Sequence, residues 1–137
     1  MRLGEFDMGG VLYHANYFHL YEIGREALLS SNSIAYSELA YNAKHLAIVE
    51  SHQCFLAPVH YGMELEIAIW CSEIKKASVN MNYEIYEFKG ENLVRQSPMH
   101  QAWTRHVFVD ASSGKLSILQ FPETLRSVFN KFLVDKK

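Results

Sequence analysis

"NYFHLYEIGREALLS", residues 16–30, reads as one amphipathic helix. Tyr17, Leu20, Tyr21, Ala27 and Leu28 recur at spacings of three, four and seven, and His19, Glu22, Arg25 and Glu26 fall on the opposite face. Asn16 is placed to cap its start, and Ser30, Ser31 and Asn32 to stop it. Gly24 lies on the apolar stripe, where it costs about 1 kcal/mol relative to alanine. Its presence predicts a helix that presses closely on another surface, with a sheet as the natural partner.

Strands follow. After a polar, tyrosine-containing connection over residues 33–44, "HLAIVESHQCFLAP" is apolar up to Pro58. "ELEIAIWCSEI" then sets Leu65, Ile67, Ile69 and Cys71 against Glu64, Glu66 and Ser72, and "SVNMNYEIYEF" sets Val79, Met81, Tyr83 and Ile85 on one side. Residues 89–92, Lys-Gly-Glu-Asn, make a hairpin turn, and a long run over residues 93–110 is interrupted at Pro98. Residues 111–114 turn the chain and residues 115–120 return it. Pro122 opens a terminal helix carrying Leu125, Val128, Phe129 and Phe132. A short strand before Asp7, one central helix and a succession of antiparallel strands predict an α+β fold: a curled antiparallel sheet of about five to six strands wrapped around the helix. One helix covers only part of such a sheet, so a second copy is expected, as a homodimer or a tetramer of dimers.

With 137 residues, 49% hydrophobic and 20% charged, the chain has the material for one core and reads as a single domain over residues 1–137. A net charge of -2, with Lys75-Lys76 and Lys136-Lys137 as the longest basic runs, argues against a nucleic-acid partner. No stretch approaches the roughly 20 apolar residues of a membrane span. Two cysteines, Cys54 and Cys71, both in apolar surroundings, read as free thiols of a reducing compartment, so a cytoplasmic protein is expected. His52, Cys54 and His60 match no standard metal-ligand spacing, and no metal or cofactor is expected.

Just ahead of the helix stands "FDMGGVLYHANY", residues 6–17. An aspartate before Gly-Gly is, taken alone, a turn residue. Followed by a helix start it is also a chemical device. Glycines let a ligand approach the backbone, the helix start offers N–H groups to developing negative charge, and Asp7 stands beside them. A carboxylate next to donors that polarise a carbonyl is what acyl-transfer hydrolysis requires.

"DMGGVLYHANY" followed by "FHLYEIGREALL" resembles the signature of the hotdog-fold acyl-CoA thioesterases of the 4-hydroxybenzoyl-CoA and YbgC-like type. More loosely, Pro58-Val59-His60-Tyr61-Gly62, "IKKAS" and "RHVFVDASSGK" also sit where that family has comparable segments. The resemblance implies hydrolysis of an acyl-CoA or acyl-carrier-protein thioester, with Asp7 as nucleophile or general base. It implies that His14 sits at the helix entry, where the family uses the backbone N–H on the thioester carbonyl, with the imidazole a second candidate. Gly9, Gly10, Tyr13 and Asn16 match motif positions that shape the turn, and Lys75 and Lys76 match basic residues near the coenzyme A phosphates. Leu3 replaces the family's usual tyrosine four residues before the acid, and Glu5-Phe6 its usual acidic-threonine pair.

Read without the family, Tyr13 and Tyr17 are expected in the core, His100 and His106 as hydrogen-bonded structural residues, and Lys75-Lys76 as a solvated hairpin tip. Two rivals remain on the same fold. One is a hydratase or dehydratase using an acid and a histidine; the other is a non-catalytic acyl-binding scaffold. Serine hydrolysis lacks its Gly-x-Ser-x-Gly element.

Overall fold

The computed structural model describes residues 3–7 and 10–134. Helix α1 (Tyr17–Ser31) is followed by a short helix α2 (Tyr36–Tyr41), strands β1 (Lys44–Phe55), β2 (Glu64–Ile74), β3 (Ser78–Lys89), β4 (Asn92–Leu93), β5 (His100–Asp110) and β6 (Ser117–Ile118), and helix α3 (Glu123–Lys131). The strands form one six-stranded sheet, antiparallel throughout, in the order β1-β5-β3-β2, with β4 on β3 and β6 on β5. The α+β architecture of a sheet around a central helix is therefore the one expected.

Alternation decides which strand face meets α1. Val79, Met81, Tyr83 and Ile85 of β3 and His100, Ala102, Thr104, His106 and Phe108 of β5 are buried on that face, Phe108 against Phe121. The helix supplies Tyr17, Leu20, Tyr21 and Leu29. The helix presses closely on the sheet at Gly24, where a Cβ would stand 2.7 Å from Ile69 Cδ1 of β2. The stripe differs in detail from the expected one, because Ala27 is exposed, Leu29 is buried, and Arg25 reaches inward to the Tyr83 hydroxyl at 3.0 Å. The terminal helix closes the far end, with Phe121, Leu125, Val128 and Phe129 buried.

Three expectations are corrected. Residues 3–5 form a 3-10 turn, and Phe6 makes one bridge with Leu12, so among the described residues no strand precedes Asp7. Within the polar connection, α2 sits between Ser33 and Ala43, both at positive φ, and the Tyr36 hydroxyl accepts the Leu46 N–H at 3.2 Å. Cys54 lies exposed on the outer face of β1, opposite Gln101, while Cys71 is buried. A bulge between Ile48 and Glu50 resets the alternation of β1 and turns Glu50, His52 and Cys54 outward.

The two sheet edges differ. Along β2, Cys71 N–H donates to the Phe132 carbonyl and Val134 N–H donates to the Cys71 carbonyl, each at 2.8 Å, so the residues after α3 cover that edge. Along β1, Ile48, Val49 and Phe55 stay about half exposed.

Candidate active site

Asp7 closes a tight turn onto Val11. Its N–H donates to the Val11 carbonyl at 2.8 Å, its carbonyl accepts the Gly10 N–H at 2.9 Å, and its Oδ1 accepts the Val11 N–H at 3.2 Å. Gly10 has φ +76 and a Cβ there would meet nothing within 4 Å, so backbone conformation rather than space requires glycine. Gly9, the other glycine expected at the site, lies outside the described residues. The 58–62 segment holds the turn from behind: Leu12 N–H donates to the Val59 carbonyl at 2.8 Å, and Tyr61 N–H to the Gly10 carbonyl at 3.1 Å. Phe6 packs edge-on against Tyr61.

Beyond Leu12 the chain is extended at Tyr13, and a 3-10 turn at His14–Asn16 runs directly into α1. Helical backbone therefore begins at His14. Asn16, expected as the cap, is itself helical (φ -81, ψ -11) and makes no side-chain capping bond. The first N–H groups of a helical run have no acceptor within it, and they lie at its positive end. Here that end stands next to the acid turn.

Asp7, Val11, Leu12, Tyr13, His14 and Tyr17 line one side of an open cleft of about 510 Å³, and Phe55, Leu56, Ala57 and Pro58 line the other. The structure thus brings Asp7, Tyr13 and His14 together, while Asn16 lies half-buried just beyond. Tyr13, expected in the core, is half exposed with its ring 4.2 Å from that of His14. Leu3, at the position of the family's tyrosine, is exposed. Lys75 and Lys76 sit at the opposite end of β2, a strand of roughly 35 Å at about 3.3 Å per residue. One chain does not bring them to Asp7. The Lys75 ammonium pairs with Glu73 at 3.3 Å, and Arg126 Nη2 donates to both lysine carbonyls, at 2.9 and 3.2 Å. Reading the sequence by segment missed the wall at residues 55–58. Its only signal was the apolar end of the β1 run, and the pairing of residues 10–12 with 59–61 is what brings it to Asp7.

Behind the cleft the rings of Tyr17 and His100 are stacked at 4.0 Å, and those of Tyr21 and Tyr83 at 4.4 Å. Their polar atoms form two directed chains. The Tyr21 hydroxyl donates to His100 Nδ1 at 2.5 Å, and His100 Nε2–H donates to Gln53 Oε1 at 3.1 Å. In the second chain Arg25 can only donate and the Leu46 carbonyl only accept, which sets the direction of every bond between them. Arg25 donates to the Tyr83 hydroxyl, Tyr83 to Thr104 at 2.7 Å, Thr104 to His106 Nε2 at 2.7 Å, and His106 Nδ1–H to the Leu46 carbonyl at 3.4 Å. Both histidines are neutral in this scheme. Burial pushes each imidazole down to about 4, and Arg25 adds to the effect at His106. They are structural, as expected.

A carboxylate, helix-start N–H groups and an apolar wall in one cleft are suited to holding a carbonyl compound, polarising it, and delivering a nucleophile or a proton acceptor to it.

The thioesterase-like superfamily model matches residues 1–129. The acyl-CoA thioesterase candidate YneP of Bacillus subtilis (strain 168) is 29% identical over 115 residues, covering 84% of this chain and 79% of that protein. The 1,4-dihydroxy-2-naphthoyl-CoA hydrolase of a Picosynechococcus species is 28% identical over 111 residues, covering 80% and 75%. Among solved structures, the dynemicin thioesterase superposes with a TM-score of 0.85 at 17% identity, over 99% of this chain and 94% of that one. The protein belongs to the thioesterase-like superfamily, and its sheet around a central helix is the hotdog fold of that family.

Proposed function

We propose that this protein hydrolyses an acyl-CoA thioester to the free acid and coenzyme A, with Asp7 as the catalytic carboxylate. One observation carries the reading: Asp7 shares an open cleft with the start of the helical run at His14. The thioester carbonyl rests against the helix-start N–H groups, which stabilise the charge that develops on its oxygen. Asp7 either attacks the carbonyl carbon, forming an anhydride that water then hydrolyses to the free acid and the restored carboxylate, or takes a proton from a water that attacks the carbon directly. The carbon–sulfur bond breaks, and coenzyme A leaves as a thiolate that is then protonated. The two relatives that act on coenzyme A thioesters by name support this substrate class.

The open edge of β1 supports a homodimer. Phe55 ends that edge strand and lines the cleft wall with Leu56, so a second copy there borders the active site. Among the described residues no helix is long and apolar enough to cross a membrane, and the two cysteines are free thiols, which fits a cytoplasmic enzyme.

The test is thiol release from a panel of short, long and aromatic acyl-CoAs by the wild type and by Asp7→Asn. Asparagine keeps an oxygen for the Val11 N–H, so the turn survives while the carboxylate is lost. Activity that falls by about a hundredfold or more fits removal of a catalytic acid or base. Equal activity in both proteins assigns Asp7 to the turn alone. A protein that binds acyl-CoA without cleaving it is the acyl-binding scaffold.

A further inference from the structure

We infer that the stacked rings of Tyr17, His100, Tyr21 and Tyr83 plug the space between α1 and the sheet, and that this plug limits the acyl group to one that ends at Tyr17 and Phe55. The inference rests on the acyl-CoA reading above and names the structural determinant of its acyl range.

Two of the cavities that touch α1 lie on either side of these rings. The Asp7 cleft is at the start of α1. The second, of about 340 Å³, lies toward its end and is lined by Arg25, Leu29, Leu46, Met81, His106 and Phe129 among others. From Tyr17 to Arg25 is two helical turns, about 12 Å. An acyl chain entering at Asp7 and running beneath the helix would reach the second cavity if that passage were open.

Two plates of rings close it in series. The first is Tyr17 on His100, with Phe55 edge-on to both at 5.3 and 5.0 Å. The second, one turn deeper, is Tyr21 on Tyr83. Tyr17, Tyr21, Tyr83 and His100 are each no more than 2% exposed, and rings stacked at 4.0 and 4.4 Å leave no room for a methylene between them. The plug is also fastened. Tyr21 is bonded to His100, His100 to Gln53, and Tyr83 to both Thr104 and Arg25. Swinging the second plate aside, or displacing His100 from the first, breaks at least one of these bonds and strands a buried polar atom. A flat aromatic or short acyl group fits against the outer plate, whereas a long chain has no interior path.

The series arrangement makes an ordered prediction. Tyr21→Leu alone leaves the acyl range unchanged, because the outer plate still stands, with His100 held by its bond to Gln53 and its stack on Tyr17. Tyr17→Leu deepens the cleft by about one helical turn, roughly 5 Å. Tyr17→Leu/Tyr21→Leu joins the cleft to the second cavity and admits long chains.

kcat and KM are measured on butyryl-, benzoyl-, decanoyl- and palmitoyl-CoA for the wild type and the three variants, with thermal unfolding to confirm that each is folded. The expected result is a wild type at least about tenfold better on butyryl- or benzoyl-CoA than on palmitoyl-CoA, an effect within the range pocket size produces. The long-to-short ratio of kcat/KM should then rise stepwise through Tyr17→Leu to the double variant, while Tyr21→Leu keeps the wild-type ratio. A purely structural role would lower all substrates together and leave the ratio fixed, overturning the inference. So would a wild type that already prefers palmitoyl-CoA, an arm that stands even if the double variant does not fold. A wild type that cleaves none of the four overturns the thioesterase reading itself, and this inference with it.

Discussion

At Asp7 a single side chain serves both fold and proposed chemistry, and for that reason the sequence alone left two roles open. The bond from Val11 N–H to Oδ1 is the turn role that any aspartate before glycines suggests. The cleft is the chemical role, and it became visible only once residues 55–58 were brought opposite. The buried histidines give residue-scale chemistry of another kind. Each titrates near 6.5 in an unfolded chain and at about 4 in the fold, so between those values the unfolded state binds more protons. Their contribution to stability is therefore complete above about pH 6.5 and is lost as pH falls toward 4. At about 1.4 kcal/mol per pKa unit, each is worth on the order of 3 kcal/mol. The carboxyl of Asp110, held well below the usual range by Lys44 and Ser112, adds its loss only at lower pH, below that window. Urea unfolding at pH 7, 6, 5 and 4.5 should show stability dropping through this range. A flat profile from 7 to 4.5 would mean that the two imidazoles are not held neutral.

The central helix was legible because a 15-residue amphipathic period leaves little choice of buried face, and Gly24 added the direction of its partner. That contact can be measured. Gly24→Ala gains about 1 kcal/mol of helix propensity and sets a Cβ 2.7 Å from Ile69 Cδ1, the movable end of a half-buried side chain, so the collision costs about 1 kcal/mol, the low end of overpacking. The expected net is near zero. Ile69→Val removes the colliding methyl, so in that background Gly24→Ala should stabilise by about 1 kcal/mol. A double-mutant cycle by chemical denaturation should therefore give a coupling of about 1 kcal/mol. Additive changes would show that α1 does not press on β2 at this point. The six-residue α2 escaped reading for the converse reason: a helix of that length has no stability of its own and depends on contacts such as Tyr36 with the Leu46 N–H. The bulge after Ile48 was equally silent, since one extra residue changes the facing of β1 without changing its composition.

Across the whole molecule the two sheet edges are treated differently. The end of the chain folds back to satisfy Cys71 on β2, whereas the 12-residue β1 edge presents Ile48 and Val49 to solvent at 48% and 58% exposure. A long apolar edge is a template for pairing, and pairing two copies about a two-fold axis satisfies both edges at once. An antiparallel pair also sets opposite strand ends together, so each copy brings its Lys44 end toward its partner's Phe55 and Leu56. In such a proposed dimer the far end of one sheet, which carries Lys75 and Lys76 just after β2, would approach the cleft of the other, a route to the proposed substrate that a single chain lacks. Light scattering after size-exclusion chromatography should therefore give at least twice the chain mass for the wild type. Ile48→Lys/Val49→Lys sets four like charges on the paired edges and should yield monomer. Activity should fall as dimerisation is lost, through KM if the partner contributes mainly to coenzyme A binding. A monomeric wild type, or a monomeric variant with unchanged kcat and KM, would confine the site to one chain and return Lys75 and Lys76 to the role of a solvated hairpin.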